Sequence, residues 1–145
     1  MGSIYNISCR NKQCMYHTQV RMGEGFLEYA HIKDLENGIK DESVITDSDV
    51  KRLVNAGYEV KGNATFLCNH CNKWVNLFIP HILEITNQSP LGTIREFKVH
   101  SIEDDFICPD CGNELEYILN PKSSNNKCPR CGATNMKVGE SILYD

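Results

Sequence analysis

Hydrophobic positions change period several times along the chain, and each change marks an element. Phe26, Tyr29, Ile32 and Leu35 recur at three-residue intervals, a spacing that collects side chains on one side of a helix, and Gly38 is placed to stop it. Thr46 followed by Asp49 has capping-box character, Val50, Leu53 and Val54 follow at helical spacing, and Gly57 can terminate the run, so a second helix is predicted over Asp47 to Ala56. Tyr58 to Val60 and Ala64 to Leu67 then read as extended, with Lys61-Gly62-Asn63 as the turn between them. The apolar runs WVNLFIP and HILEIT suit strands and are separated by Pro80, which has no N–H for a ladder. NQSPLG (87–92) is a loop, and Thr93 to His100 alternates as a half-buried strand does. ELEYILN (114–120) predicts one more strand, and NPKSSNNK (120–127) a turn-rich tip.

The chain has 145 residues and a mass of 16.5 kDa, which bounds it to one ordinary domain or two small ones; small lobes bury too little surface to stand without cross-links. Eight cysteines offer those cross-links as disulfides or as metal ligands. The first residues lack a basic start followed by an apolar run, and Asn6 stands where a myristoylation signal has Ser or Thr. No stretch approaches the roughly 18 apolar residues of a membrane span. The expected compartment is therefore the cytoplasm, where thiols stay reduced and bind metal, with no membrane partner.

The cysteines form four pairs: Cys9 with Cys14, Cys68 with Cys71, Cys108 with Cys111, and Cys128 with Cys131. Two intervening residues let both sulfurs of a knuckle turn toward one point, and Gly112 and Gly132 can supply the left-handed backbone that such a turn needs. Cys-Pro-x-Cys-Gly occurs at 108–112 and again at 128–132, only 16 residues separating the pairs, so these two are expected to close one four-sulfur cage. Cys9 and Cys14 with Cys68 and Cys71 make the second, with His17 or His70 as a competing ligand for one cysteine. Two Zn2+ ions are the expected cofactors. Iron is the alternative, since four sulfurs of this shape also hold one iron in rubredoxin-like proteins.

A hydrolytic zinc site keeps a position open for water, whereas four sulfurs close the shell. No His-Glu-x-x-His, phosphate-binding loop or nucleophile elbow is present, and His81-Ile-Leu-Glu84 has the wrong spacing for a deaminase. No catalytic residue is expected, and the chain reads as a non-enzyme. Trp74 and Phe78 read as core. The formal net charge of −4 becomes about −8 once eight thiolates hold two divalent ions, which disfavours a protein that grips phosphates. Arg10, Lys12 and Arg21 near the first pair, with Lys127 and Arg130 around the last, are the cations available for nucleic acid; Asp104, Asp105, Asp110, Glu114 and Glu116 oppose them near the third.

Gly2, Tyr5, the first cysteine pair, Tyr16, the run Gly23-Glu24-Gly25-Phe26-Leu27-Glu28-Tyr29, the Leu67 to Cys71 knuckle and the two closing Cys-x-x-Cys pairs resemble small bacterial zinc-ribbon proteins of unassigned function. The chain departs from that pattern in having four residues, not two, between Cys9 and Cys14. The resemblance implies a bacterial origin and metal binding, and no activity. The expectation is a small α+β protein of two zinc-ribbon-like lobes built from short antiparallel strands, with one or two helices inserted in the first. The expected segments are a zinc-binding lobe over 1–80, connecting strands over 81–103 and a zinc ribbon over 104–145. The expected role is an interaction module or adaptor whose partner is another protein; the alternatives are nucleic-acid binding and iron-based electron transfer.

Overall fold

The computed structural model describes residues 2–123, 125–134 and 136–145; Ser124, in the expected tip, lies outside them. Among the described residues the elements run β1 (Gly2–Ser8), β2 (His17–Met22), α1 (Phe26–Lys40), α2 (Ser48–Asn55), β3 (Lys61–Cys68), β4 (Lys73–Gln88), β5 (Ile94–Ser101), β6 (Glu116–Ile118) and β7 (Lys137–Tyr144). This is a small α+β architecture with two sheets, ordered β2-β1-β7 and β5-β4-β3-β6. Among the described residues no helix is long and apolar enough to cross a membrane.

The chain divides into two compact units, each assembled from separated stretches. One comprises residues 1–25, 63–78 and 106–145, the other 26–62 and 79–105.

In the first unit β1 is the central strand of its sheet, antiparallel to β2 from Ser3↔Met22 to Ser8↔His17 and to β7 from Gly2↔Tyr144 to Ser8↔Lys137, with a register shift between Tyr5 and Ile7. No periodic pattern in the sequence marks these three strands. They cover a core of Ile7, Tyr16, Val20, Trp74, Cys128 and Met136. Trp74 is buried there as expected, and its backbone N–H donates to the Tyr16 hydroxyl at 2.8 Å; Phe78 is only half-buried. β6 pairs with β3 across Thr65↔Ile118, Phe66↔Tyr117 and Leu67↔Glu116, and Phe66 packs against Phe106 and Tyr117. The turn expected at Lys61-Gly62-Asn63 is instead the start of β3. Tertiary bonds override the local turn chemistry: the Asn63 side-chain amide donates to the Gly23 carbonyl at 2.8 Å and to the Tyr144 hydroxyl at 3.0 Å.

The second unit carries both helices. α1 buries Ile32, Leu35, Glu36 and Ile39, a true 3.6-residue stripe, while Phe26 and Tyr29 are exposed. The three-residue recurrence seen in the sequence drifts off that stripe. Gly38 does not stop the helix; it lies inside it and is buried, and a Cβ there would meet Val44 Cγ2 at 2.5 Å, so glycine lets the following segment fold back. α2 is capped by Asp47 rather than Thr46: the Asp47 carboxylate accepts from the Val50 N–H at 2.9 Å, and Val50, Leu53 and Val54 are buried. Gly57 ends it at φ +96°. β4 is one 16-residue strand, not two interrupted at Pro80. Proline is tolerated because pairing with β5 begins just after it, at His81↔Ser101, and its carbonyl accepts from the Ile102 N–H at 3.1 Å.

Candidate metal centres

Each knuckle is a short turn whose geometry the sequence prescribes. In the third, the Gly112 N–H donates to the Cys108 carbonyl at 2.9 Å and the Cys108 N–H to the Asn113 carbonyl at 2.9 Å. The fourth repeats it, Gly132 to Cys128 at 2.9 Å and Cys128 to Ala133 at 2.8 Å. Gly112 and Gly132 have φ of +75° and +78°, and a Cβ at either would touch nothing within 4 Å, so conformation rather than space selects glycine. The residue after the second cysteine is left-handed in all four knuckles: Asn72 takes φ +52° after Cys71, and Met15 takes φ +56° after Cys14. The longer Cys9-x4-Cys14 hairpin thus reaches the same exit geometry, tied by the Cys9 N–H to the Tyr16 carbonyl at 2.8 Å and the Cys14 N–H to the Asn11 carbonyl at 3.1 Å.

All eight sequence-identified cysteines are brought into two four-sulfur clusters, but in a different pairing from the one spacing suggests. Cys9, Cys14, Cys128 and Cys131 form one cluster, and Cys68, Cys71, Cys108 and Cys111 the other. The first knuckle joins the fourth and the second joins the third, a nested arrangement that replaces the expected sequential one. Both clusters lie in the first unit. The physical reason is strand pairing. β1 runs directly into the first knuckle and β7 follows the fourth, so their register, ending at Ser8↔Lys137, delivers Cys9 to Cys131. β3 runs into the second knuckle and β6 follows the third, and Leu67↔Glu116 delivers Cys68 to Cys111.

The sulfurs are spaced for a tetrahedral ion. Cys9 Sγ and Cys131 Sγ are 3.5 Å apart, Cys14 Sγ and Cys128 Sγ 3.7 Å, and Cys68 Sγ and Cys111 Sγ 3.5 Å. With metal–sulfur bonds of about 2.3 Å, a tetrahedron has edges of roughly 3.8 Å. Outer donors are also in place: the Asn11 N–H points to Cys9 Sγ at 3.4 Å, the Cys71 N–H to Cys68 Sγ at 3.4 Å, and the Asn113 side-chain amide to Cys111 Sγ at 3.3 Å. Neither His17 nor His70 enters a cluster among the described residues.

Crowding four thiols splits their acidities. The Asn113 amide and N–H pull the Cys111 thiol down to about 6, and the Ala133 N–H pulls Cys131 down to about 7. Partial burial and the neighbouring sulfurs push Cys9 up to about 12, and the hydrogen bond with Cys111 and partial burial push Cys71 up to about 12. Four thiolates cannot share so small a space alone, and a bound cation would supply the balancing charge.

The charged surroundings of the two clusters differ. Arg10, Lys12, Lys127 and Arg130, assigned by sequence to two separate sites, all flank the first cluster and all are exposed. The second is flanked by Asp110, Glu114 and Glu116, and Lys73 there is paired with Asp110.

Comparison with family models, with curated proteins and with solved structures returns no match.

Proposed function

We propose that this chain is a non-enzymatic zinc protein of the cytoplasm whose two tetrathiolate centres are structural and whose work is binding, as an interaction module or adaptor. The observation that carries this reading is the closure of both clusters by four sulfurs. A metal held this way has no position for water or substrate, so it supplies rigidity rather than Lewis-acid chemistry. Cys9, Cys14, Cys128 and Cys131 would hold one ion, and Cys68, Cys71, Cys108 and Cys111 the other. Thiolate ligands of this kind need a reducing compartment. The acidic remainder of the surface suits a protein partner; the local balance at the first centre differs from it.

Elemental analysis of protein purified under reducing conditions, paired with a visible spectrum, tests the reading. Two zinc ions per chain and no colour are expected. Iron with sulfur-to-iron charge-transfer bands would replace this reading with an electron carrier.

A further inference from the structure

The nested pairing of knuckles concentrates charge in a way that the linear sequence conceals. Residues 1–23 and 117–139, which contribute the first and fourth knuckles and their flanks, contain seven Lys and Arg residues and no Asp or Glu. The rest of the chain holds the other eight cations and all 19 carboxylates. Of the seven, Arg10, Lys12, Lys122, Lys127, Arg130 and Lys137 are exposed, and among the described residues none of these six is ion-paired with a carboxylate. Two are held over aromatic rings rather than against acids: the Arg130 guanidinium lies 5.3 Å from the Tyr16 ring centre and the Lys122 ammonium 4.5 Å from that of Tyr5. The tetrathiolate with a divalent ion carries about −2. Arg10, Lys12, Lys127 and Arg130 exceed that, and the surface around the first centre is net positive on an otherwise acidic protein.

We infer that this face binds a single-stranded nucleic acid through its phosphates. The inference rests on the binding-module reading and names its ligand. Cations without interspersed carboxylates suit a continuous line of phosphodiesters. Exposed side-chain amides occupy the same segments, at Gln13 and Asn125, and supply the donor and acceptor pairs that base edges accept. The metal holds the two knuckles together, so it positions cations that lie more than 100 residues apart in sequence. The global net charge, which weighs against nucleic acid, averages this face with the acidic remainder and is the wrong quantity for deciding it.

The test is fluorescence anisotropy of labelled 20-nucleotide single strands, one RNA and one DNA, with holo-protein of known metal content. Four phosphates engaged on a single strand give a log–log salt slope of about −2.8, a fall of roughly 50-fold in affinity from 50 to 200 mM salt. The double reversal Lys12→Glu/Lys127→Glu should weaken binding at least tenfold with metal content and melting temperature unchanged, and Arg10→Glu/Arg130→Glu should do the same. The control Arg95→Glu/Lys98→Glu reverses two exposed cations of β5 and should leave binding within about twofold. Absence of binding to both strands, or equal losses for the knuckle and β5 variants, would overturn the inference. So would polyglutamate binding as tightly as the oligonucleotides, which would assign the face to an acidic protein. Two zinc ions with no strand binding would sink this inference alone; iron would sink the module reading whatever the anisotropy shows.

Discussion

Cys128→Ser separates the nested arrangement from the sequential one. Cys128 is 2 % exposed and packs within the core of Ile7, Tyr16, Val20, Trp74 and Met136, and serine is nearly isosteric, so little of its effect can come from a cavity. What it removes is one of four metal ligands. A structural zinc site contributes on the order of 10 kcal/mol to folding, against roughly 5 to 15 kcal/mol for the whole stability of a domain. Losing that centre should therefore release the first unit's sheet. The assay is metal content together with amide exchange: the zinc count should fall, and protection at β1, β2 and β7, read at Ile7, Val20 and Val138, should be lost first. The wild-type protein supplies a check that survives any unfolding. With NMR-active cadmium in both centres, one metal resonance should couple to the β-protons of Cys9, Cys14, Cys128 and Cys131, and the other to those of Cys68, Cys71, Cys108 and Cys111. A single cadmium coupled to both Cys108 and Cys128 would refute the nested arrangement and restore the local ribbon.

Other consequences follow from single residues. Met15→Gly should stabilise the protein by about 1 kcal/mol, measured by denaturant titration, because Met15 is exposed and bears the left-handed backbone cost that glycine avoids; Asn72→Gly should gain less. Gly38→Ala should destabilise by about 1 to 2 kcal/mol through the clash with Val44 Cγ2, and the loss should shrink in a Val44→Ala background, where Ser43 Oγ at 3.3 Å and the residue-44 Cβ at 3.4 Å remain beside the new methyl; a loss unchanged by Val44→Ala would refute the clash. Tyr16→Phe leaves the buried Trp74 backbone N–H without its acceptor and should cost about 1 to 3 kcal/mol with both metals retained. Burial pushes the His81 imidazole below its ordinary range, so the unfolded chain takes up a proton that the folded one resists, and stability falls as pH drops below about 6.5. His81→Gln should flatten that fall between about pH 7 and pH 5.5; an unchanged slope would exclude His81 as its source.

All eight cluster cysteines were legible in the sequence, because a knuckle is a local object: two sulfurs a few residues apart, a tight turn and a left-handed exit, with glycine marking two of the exits. The second helix was legible for the same reason, its apolar positions, acidic start and terminal glycine all falling within about ten residues. Which knuckle meets which was not. By chain entropy alone the sequential arrangement is favoured, since the fourth knuckle lies 17 residues from the third and 114 from the first; summed over both centres the nested arrangement costs about 1.3 kcal/mol more in loop closure. That is a small sum beside the pairing of β7 along β1 and of β6 along β3, and β1 and β7 carry no clear period to announce them. Distance along the chain is a weak guide to contact because its cost grows only logarithmically, and strand register, a property of the folded backbone, decides where the sulfurs land. The charge on each knuckle was written in the sequence; that Arg10, Lys12, Lys127 and Arg130 flank one cluster follows only from the strand pairing that brings the first and last knuckles together.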